Sequence, residues 1–104
     1  MVGTVTDWTF LTNHALVLIC VARDSNFRLR DIAECVGITE RATHRIVSEL
    51  EQAGYLTRHR MGRRTFYEVH PDVPLRHPLL SDRDLGELLA VLVRKKGEEV
   101  EDAA

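Results

Sequence analysis

Arginine is concentrated in the middle of this 104-residue chain. Between residues 41 and 64 there are six arginines against two acidic residues, Glu49 and Glu51, so the local charge balance is +4. Five of the seven residues from 58 to 64 are arginine or histidine. A guanidinium group donates hydrogen bonds in a planar fork that matches a phosphate group. This clustering therefore favours an anionic partner such as a nucleic acid.

The formal net charge of −2 hides this basic region, because acidic residues collect at the far end of the sequence. Residues 97–104 carry four acidic side chains and no cation. Without them, fourteen Lys and Arg residues face twelve Asp and Glu residues, which is a balance of +2. The distribution of charge, more than its sum, bears on nucleic-acid binding. We expect residues 97–104 to form a disordered acidic tail.

Other kinds of chemistry have little support in the residue pattern. The spacing of His70 and His77 with Cys35 or Asp72 fits no established metal-ligand pattern, so we expect no metal and no other cofactor. No nucleophile with a partner base and no phosphate-cradling glycine loop can be recognised, which argues against an enzyme. Cys20 and Cys35 lie in apolar stretches and form no close-spaced pair, and we interpret them as reduced structural thiols.

Length and composition predict one domain. A chain of 104 residues with 44% apolar content fits a single hydrophobic core. The first residues lack the layout of a signal peptide, and the longest apolar run, residues 15–22, is too short to span a bilayer. We expect a soluble, cytoplasmic protein with no membrane partner.

The first elements that could hold the arginines in place are helices. Thr12 can cap a first helix that is apolar on most sides and ends at residues 24–26. Trp8 and Phe10 precede it and could line a ligand pocket, although an aromatic anchor beneath this helix is the favoured interpretation. Residues 27–30 alternate between apolar and basic side chains and could form a short strand or a loop.

Two further helices and a hairpin follow. A helix over residues 31–36 ends at Gly37, and Thr39 can cap the next helix, which runs to Ala53. After Gly54 the pattern alternates every second residue and reverses at residues 61–62, which predicts a β-hairpin with arginines at its tip. Three prolines then predict an extended connector, and Ser81 with Asp84 could cap a last helix.

The stretch from Leu29 to Val47 resembles the helix-turn-helix of bacterial transcription regulators. Ala33 stands at the small position where the two helices meet and Gly37 at the turn. Thr43 departs from the pattern, since an aliphatic residue is common there. The following residues 50–56, LEQAGYL, resemble the passage into the wing of MarR-like and ArsR-like winged-helix regulators. The resemblance covers residues 13–69. The buried set of the motif would be Ile32, Val36, Ile38 and Ile46.

This resemblance implies a mainly α fold with a small β-hairpin, namely a winged helix-turn-helix with a three-helix core and a wing, followed by a C-terminal amphipathic helix. Residues 1–80 would form the DNA-binding domain and connector, residues 81–96 the last helix, and residues 97–104 the tail. The implied partner is double-stranded DNA, bound by a helix in the major groove and by the hairpin on the backbone and minor groove. For Arg28 and Arg30, phosphate contact and a merely solvated position are equally favoured. The expected contacts are Arg28, Arg30, Thr39, Glu40, Arg41, Thr43, His44, Arg45, Arg58, Arg60, Arg63 and Arg64.

The last helix suggests a homodimer, because its apolar stripe could pack against a symmetry mate. The alternative is that the stripe covers the core of its own chain. A second function also stays open, in which the same fold is a protein-interaction module whose arginines meet an acidic protein surface. Binding of a small-molecule effector is left open too. The residues of the proposed dimer stripe are Leu85, Leu88, Leu89, Leu92 and Val93.

Overall fold

The computed structural model describes residues 8–93, and this part of the chain holds four α-helices and one antiparallel β-hairpin. The predicted order of three helices, a hairpin and a last helix is confirmed. The elements are α1 (Asn13–Arg23), α2 (Leu29–Val36), α3 (Glu40–Gln52), β1 (Leu56–Met61), β2 (Arg64–Val69) and α4 (Leu85–Leu92).

Helix α1 begins as predicted, because the Thr12 hydroxyl accepts a hydrogen bond from the Ala15 amide at 3.2 Å. Val17, Cys20 and Val21 are buried on this helix, together with Leu18. The aromatic anchor beneath it is not observed. Phe10 is 92% exposed, and its ring meets the Trp8 ring edge to face at a centroid distance of 5.5 Å.

Helix α2 begins at Leu29, two residues earlier than predicted, so a short strand over residues 27–30 was a wrong alternative. The Asp31 carboxylate accepts a hydrogen bond from the Arg28 amide at 3.2 Å, which fixes the start of the helix. At the other end Gly37 has a φ of 90°. This left-handed conformation lets the Gly37 and Ile38 amides both donate to the Ala33 carbonyl, at 2.8 and 3.0 Å.

Helix α3 carries a continuous buried face and an exposed charged face. Thr39 caps it, since its hydroxyl accepts from the Ala42 amide at 3.0 Å. Gly54, with a φ of 87°, turns the chain after the helix into β1. The buried face is made by Thr43, Ile46, Val47 and Leu50.

The hairpin forms where the sequence predicts it. β1 and β2 pair from Leu56 opposite Val69 to Met61 opposite Arg64, and Gly62 supplies a φ of 62° at the predicted reversal. The Tyr67 amide donates to the Ser25 carbonyl at 3.1 Å, so β2 is tied to the loop before α2. This bond holds the hairpin beside the first residues of α2.

The connector and α4 differ in detail from the prediction. The cap of α4 is Asp84, which accepts from the Glu87 amide while the Glu87 carboxylate accepts from the Asp84 amide. Ser81 is no cap, because its hydroxyl donates to the Pro78 carbonyl at 3.4 Å. The predicted helix over 81–96 thus begins at Leu85. Its residues 94–96 and the predicted tail 97–104 lie outside the described residues.

The apolar stripe of α4 divides between the core and the surface. Leu85 and Leu89 are buried in the core of their own chain, so the prediction that they form a dimer interface is wrong. Val93 packs against the same core, and Leu88 is half-buried. Leu92 is 39% exposed and stays a candidate for a dimer contact.

One core joins all of these elements. It takes residues from the three first helices, both strands and α4. Within residues 8–93 no helix is long and apolar enough to cross a membrane. The buried residues of this core include Val17, Val21, Ile32, Ile46, Val47, Leu50, Tyr55, Leu56, Tyr67 and Leu85.

Candidate nucleic-acid interface

The first turns of α3 expose several polar and charged side chains. Arg41, His44 and Arg45 are exposed there, together with Thr39 and Glu40. A shallow depression of about 430 Å³ at this place is lined by Thr39, Arg41, Ala42, His44 and Arg45. The first turns of α3 therefore present cations and hydrogen-bonding groups on one face.

Thr43 does not belong to this face, and its prediction as a DNA contact is corrected. The side chain is fully buried, and its hydroxyl donates to the Thr39 carbonyl at 2.8 Å. Thr43 precedes Ile46 and Val47 by three and four residues, which places it on the inward face of the helix. The threonine that departs from the motif thus fills an aliphatic position while satisfying its own hydroxyl.

A larger cleft lies between α3, the hairpin and the start of α2. Its volume is about 790 Å³, and its lining holds five arginines, one histidine and no acidic residue. His44 borders both this cleft and the depression on α3, so the two form a continuous surface. The cleft residues are Asn26, Arg28, Leu29, His44, Arg58, Arg60, Arg63, Arg64, Thr65 and Tyr67.

The strand register explains why Arg58 and Arg60 of the hairpin face the cleft. Arg58 pairs with Tyr67 and Arg60 with Thr65, and directly opposed residues in a hairpin share one face. Tyr67 is buried against the core, so this face looks toward the helices. Burial also raises the pKa of the Tyr67 phenol, which keeps it neutral.

The opposite face of the hairpin is held by side-chain contacts of its own. The His59 ring stacks on Phe66 with centroids 5.0 Å apart, and its Nε2 lies 2.9 Å from Glu68 Oε1. The hydrogen bond with His59 lowers the pKa of the Glu68 carboxyl. Farther along, the Thr57 hydroxyl and His70 Nε2 are 2.6 Å apart. His59 therefore stiffens the hairpin from outside the cleft.

Arg58 differs from the other cleft arginines, because it is paired. Its guanidinium donates to Glu51 Oε1 at 3.0 Å, and its backbone amide donates to Glu51 Oε2 at 3.4 Å. Both side chains are only about one third exposed. Glu51 on α3 thus holds Arg58 of β1 in place, and Arg58 positions the hairpin against the helix. Nothing in the sequence marked Glu51 for this role.

The remaining cleft arginines form no ion pair with any residue from 8 to 93. Arg60, Arg63 and Arg64 are exposed on the hairpin, and Arg28 lies at the start of α2. Four unneutralised guanidinium groups in one concave surface create a positive potential that attracts an anion. Arg30 is exposed on α2 but does not line the cleft.

The exposed cations of α3 are not equivalent either. Arg45 donates to Glu49 Oε2 at 3.4 Å, and His14 of α1 contacts Glu49 Oε1 at 2.7 Å. The hydrogen bond with His14, followed by the positive charge of Arg45, lowers the pKa of the Glu49 carboxyl. Arg41 makes no ion pair with another described residue. Glu49 therefore restrains Arg45 and leaves Arg41 as the available guanidinium of the first turns.

His70 and His77 each make a hydrogen-bond contact within the chain. His70 meets the Thr57 hydroxyl, and His77 Nδ1 accepts from the Leu79 amide at 3.1 Å. Among residues 8–93, no group of three or more His, Cys, Asp or Glu side chains could hold a metal ion.

The sequence matches no protein-family model, and no curated protein is significantly similar to it.

Proposed function

We propose that this chain is a winged helix-turn-helix protein that binds double-stranded DNA in a sequence-specific manner and regulates transcription. The observation that supports this most is the cleft of five arginines without an acidic residue, continuous with the exposed first turns of α3. In this proposal α3 is the recognition helix and the hairpin is the wing.

The first turns of the recognition helix would read base edges. The major groove of B-DNA, about 12 Å wide, admits an α-helix, and its N-terminal residues contact the bases. Arg41 has no partner to leave, so it would pair bidentately with a guanine. His44 lies three residues on and shares its face. Arg45 would first have to part from Glu49, which makes it a weaker candidate.

The wing would hold the DNA backbone. Arg60, Arg63 and Arg64 are exposed and carry charge to the hairpin tip, where they could follow the phosphates or enter a narrow minor groove. Arg28 would contact phosphate at the start of α2. If a dimer makes roughly 6 to 10 phosphate contacts, the affinity should fall about 10³ to 10⁵-fold between 50 and 200 mM salt.

The deciding experiment compares two charge-matched double variants on a random-sequence duplex. Arg60→Ala with Arg63→Ala removes two cleft cations, while Arg76→Ala with Arg83→Ala removes two exposed cations outside the cleft. We expect the cleft variant to lose affinity and to show a shallower salt dependence, since fewer counterions are released. The control variant should bind like the parent protein.

Equal losses in both variants would show only a general effect of net charge. A parent protein that binds no duplex at any salt concentration would instead support a protein-interaction module whose cleft receives an acidic protein surface. Selection of bound sequences from a random DNA pool then tests whether Arg41 reads a base. Arg41→Ala should relax the preference at one position and cost about 1 to 3 kcal/mol there.

We propose further that the protein acts as a homodimer through the outer side of α4. Val91 is 82% exposed and Leu92 39% exposed, next to the buried Leu89. A second copy would cover these side chains and place two recognition helices on successive major grooves, about 34 to 36 Å apart. Light scattering tests this idea: Val91→Glu should yield monomers, whereas Leu79→Glu, at an equally exposed position in the connector, should not.

A further inference from the structure

Two cysteines that are fifteen residues apart in the sequence line one small cavity. The cavity has a volume of about 230 Å³, lies where α1 packs on α2, and is bordered by Cys20, Arg23, Asp24, Phe27 and Cys35. Cys20 belongs to α1 and is 5% exposed, whereas Cys35, in the last turn of α2, is exposed. One thiol therefore faces solvent while the other lies behind it in the core.

The two thiols influence each other directly. Burial, followed by a hydrogen bond with the Cys35 side chain, raises the pKa of the Cys20 thiol to about 12. Cys20 thus stays protonated and shielded in the reduced protein. Cys35 is the thiol that a solute can reach, and the thiolate is the reactive form of cysteine.

We propose that Cys20 and Cys35 form a peroxide-sensitive dithiol that closes to an intramolecular disulfide between α1 and α2. The inference stands apart from the proposed DNA binding, because it rests on the cavity and on the exposure of the two thiols. Neither cysteine takes part in the basic cleft.

The reaction balances in two steps with a hydroperoxide as the oxidant. The Cys35 thiolate attacks one peroxide oxygen, an S–O bond forms, the O–O bond breaks, and the displaced hydroxide takes up a proton to become water. The Cys20 sulfur then attacks the sulfenic sulfur of Cys35, the S–S bond forms, the S–O bond breaks, and a second water leaves with the Cys20 proton. Two thiols are oxidised and one hydrogen peroxide is reduced to two waters.

A disulfide between Cys20 and Cys35 would also change the stability of the fold. Cys35 stands two residues before Gly37, the turn that joins α2 to α3. A disulfide would fasten that end of α2 to α1 and close the loop between the helices, which lowers the entropy of the unfolded chain. The oxidised protein should therefore melt at a higher temperature than the reduced one.

The test treats the reduced full chain with hydrogen peroxide, quenches in acid, alkylates remaining thiols and measures intact mass and peptides. The exposed Met61 serves as an internal standard for general oxidation. We expect both thiols to become unavailable for alkylation, with one peptide pair joined and two hydrogens lost, at a dose that leaves Met61 intact. Dithiothreitol should restore both thiols.

Two single variants separate the roles of the thiols. In Cys20→Ser we expect a sulfenic acid at Cys35 that dimedone traps and that proceeds to sulfinic acid. In Cys35→Ser we expect Cys20 to remain alkylatable once the protein is unfolded, because its thiol was shielded from peroxide. Should the serine at position 20 prevent folding, Cys20→Ala provides the same comparison.

Three results would overturn the proposal. The first is sulfinic acid at Cys35 in the parent protein at the rate seen in the Cys20 variant. The second is a disulfide between two chains in place of one within a chain. The third is Met61 oxidation before any loss of thiol.

Discussion

The α3 and hairpin side of the chain and its α4 side present opposite kinds of side chain to solvent. The first side exposes Arg60 and Arg63 in a cleft whose lining has no acidic residue, and Arg41 in the adjoining depression on α3. The second exposes the apolar Val91 and Leu92. Both sides nevertheless contribute to the same core. One small core thus supports a basic surface on one side and an apolar surface on the other.

The two sides are also supported differently. Helix α3 is 13 residues long and buries four side chains, while α4 is 8 residues long and buries only Leu85 and Leu89. Under the proposed function the long helix carries the recognition surface on a well-anchored element. The short one leaves apolar area for a second copy. Substitution of the exposed arginines on the first side should therefore leave the association through α4 unchanged.

The largest effect should come from the anchor of α4. Leu85→Ala removes a side chain that is 2% exposed and leaves a cavity, so we expect a loss of about 2 to 5 kcal/mol in the free energy of unfolding. Leu92→Ala, at a partly exposed position of the same helix, should cost less than about 1 kcal/mol. Urea denaturation measures both. Equal losses would contradict the assignment of Leu85 to the core and of Leu92 to the surface.

A smaller effect tests how α4 meets the connector. Alanine normally stabilises a helix over glycine by about 1 kcal/mol. At Gly86, however, a Cβ would lie 2.9 Å from the Pro71 Cβ and 3.2 Å from the Pro71 carbonyl oxygen, which also accepts the Gly86 amide. We expect Gly86→Ala to destabilise the protein by about 1 to 3 kcal/mol, the usual cost of overpacking.

The matched substitution is Ala90→Gly, at an exposed position of α4. It should lose only the helix preference of alanine, about 1 kcal/mol. A gain in stability from Gly86→Ala would show that the connector can move away from the helix at little cost.

The helices and the hairpin could be predicted from the sequence because local signals mark them. Thr39 and Gly54 bound α3, and Gly37 and Gly62 adopt the positive φ angles that their turns require. The start of α2 was missed, since the Asp31 carboxylate that accepts the Arg28 amide looks like any acidic residue in the sequence. Thr43 was predicted as a DNA contact because it lies in the first turns of α3, but it faces the core at a position that is aliphatic in the motif.

The positive charge of the candidate site could be predicted from the sequence, but the ion pair between Glu51 and Arg58 could not. Position along the strand placed Arg58 and Arg60 together, but only the folded chain brings Glu51 to Arg58. The cavity that Cys20 and Cys35 share was hidden for the same reason, because it forms only where α1 packs on α2. The spacing of apolar residues on α4 is the same whether the stripe packs on the core of its own chain or on a second chain, so the sequence could not distinguish the two.

A third prediction compares one ion pair from each side. Glu51→Ala removes both hydrogen bonds that join α3 to Arg58, and these groups are mostly shielded from water, so we expect a loss of about 1 kcal/mol. Glu87→Gln keeps the size of a residue whose ion pair with Arg83 is well exposed. Loss of that pair should lower the free energy of unfolding much less than Glu51→Ala does, because solvent screens exposed ion pairs.

A double-mutant cycle with Arg58→Met isolates the interaction between Glu51 and Arg58. Strictly additive losses in the single and double variants would show that the pair does not couple the helix to the hairpin.

The smallest effect distinguishes the causes of two lowered carboxyl pKa values. The pKa of Glu68 is lowered first by its hydrogen bond with His59, whereas that of Glu87 is lowered first by the Asp84 backbone amide and then by Arg83. His59→Ala should therefore return the pKa of Glu68 toward 4.5, while Arg83→Ala should leave the pKa of Glu87 lowered. Carboxyl carbon shifts in an NMR titration measure both.

The sign of the stability effect follows from the direction of these shifts. A carboxyl whose pKa is lower in the folded protein favours folding in its ionised form. Its contribution is present above the ordinary pKa of 4.5 and is lost as the pH falls through the lower folded value. The difference in stability between the parent protein and His59→Ala should shrink over that acidic range. A difference that grows on acidification would assign the lowered pKa of Glu68 to a cause other than His59.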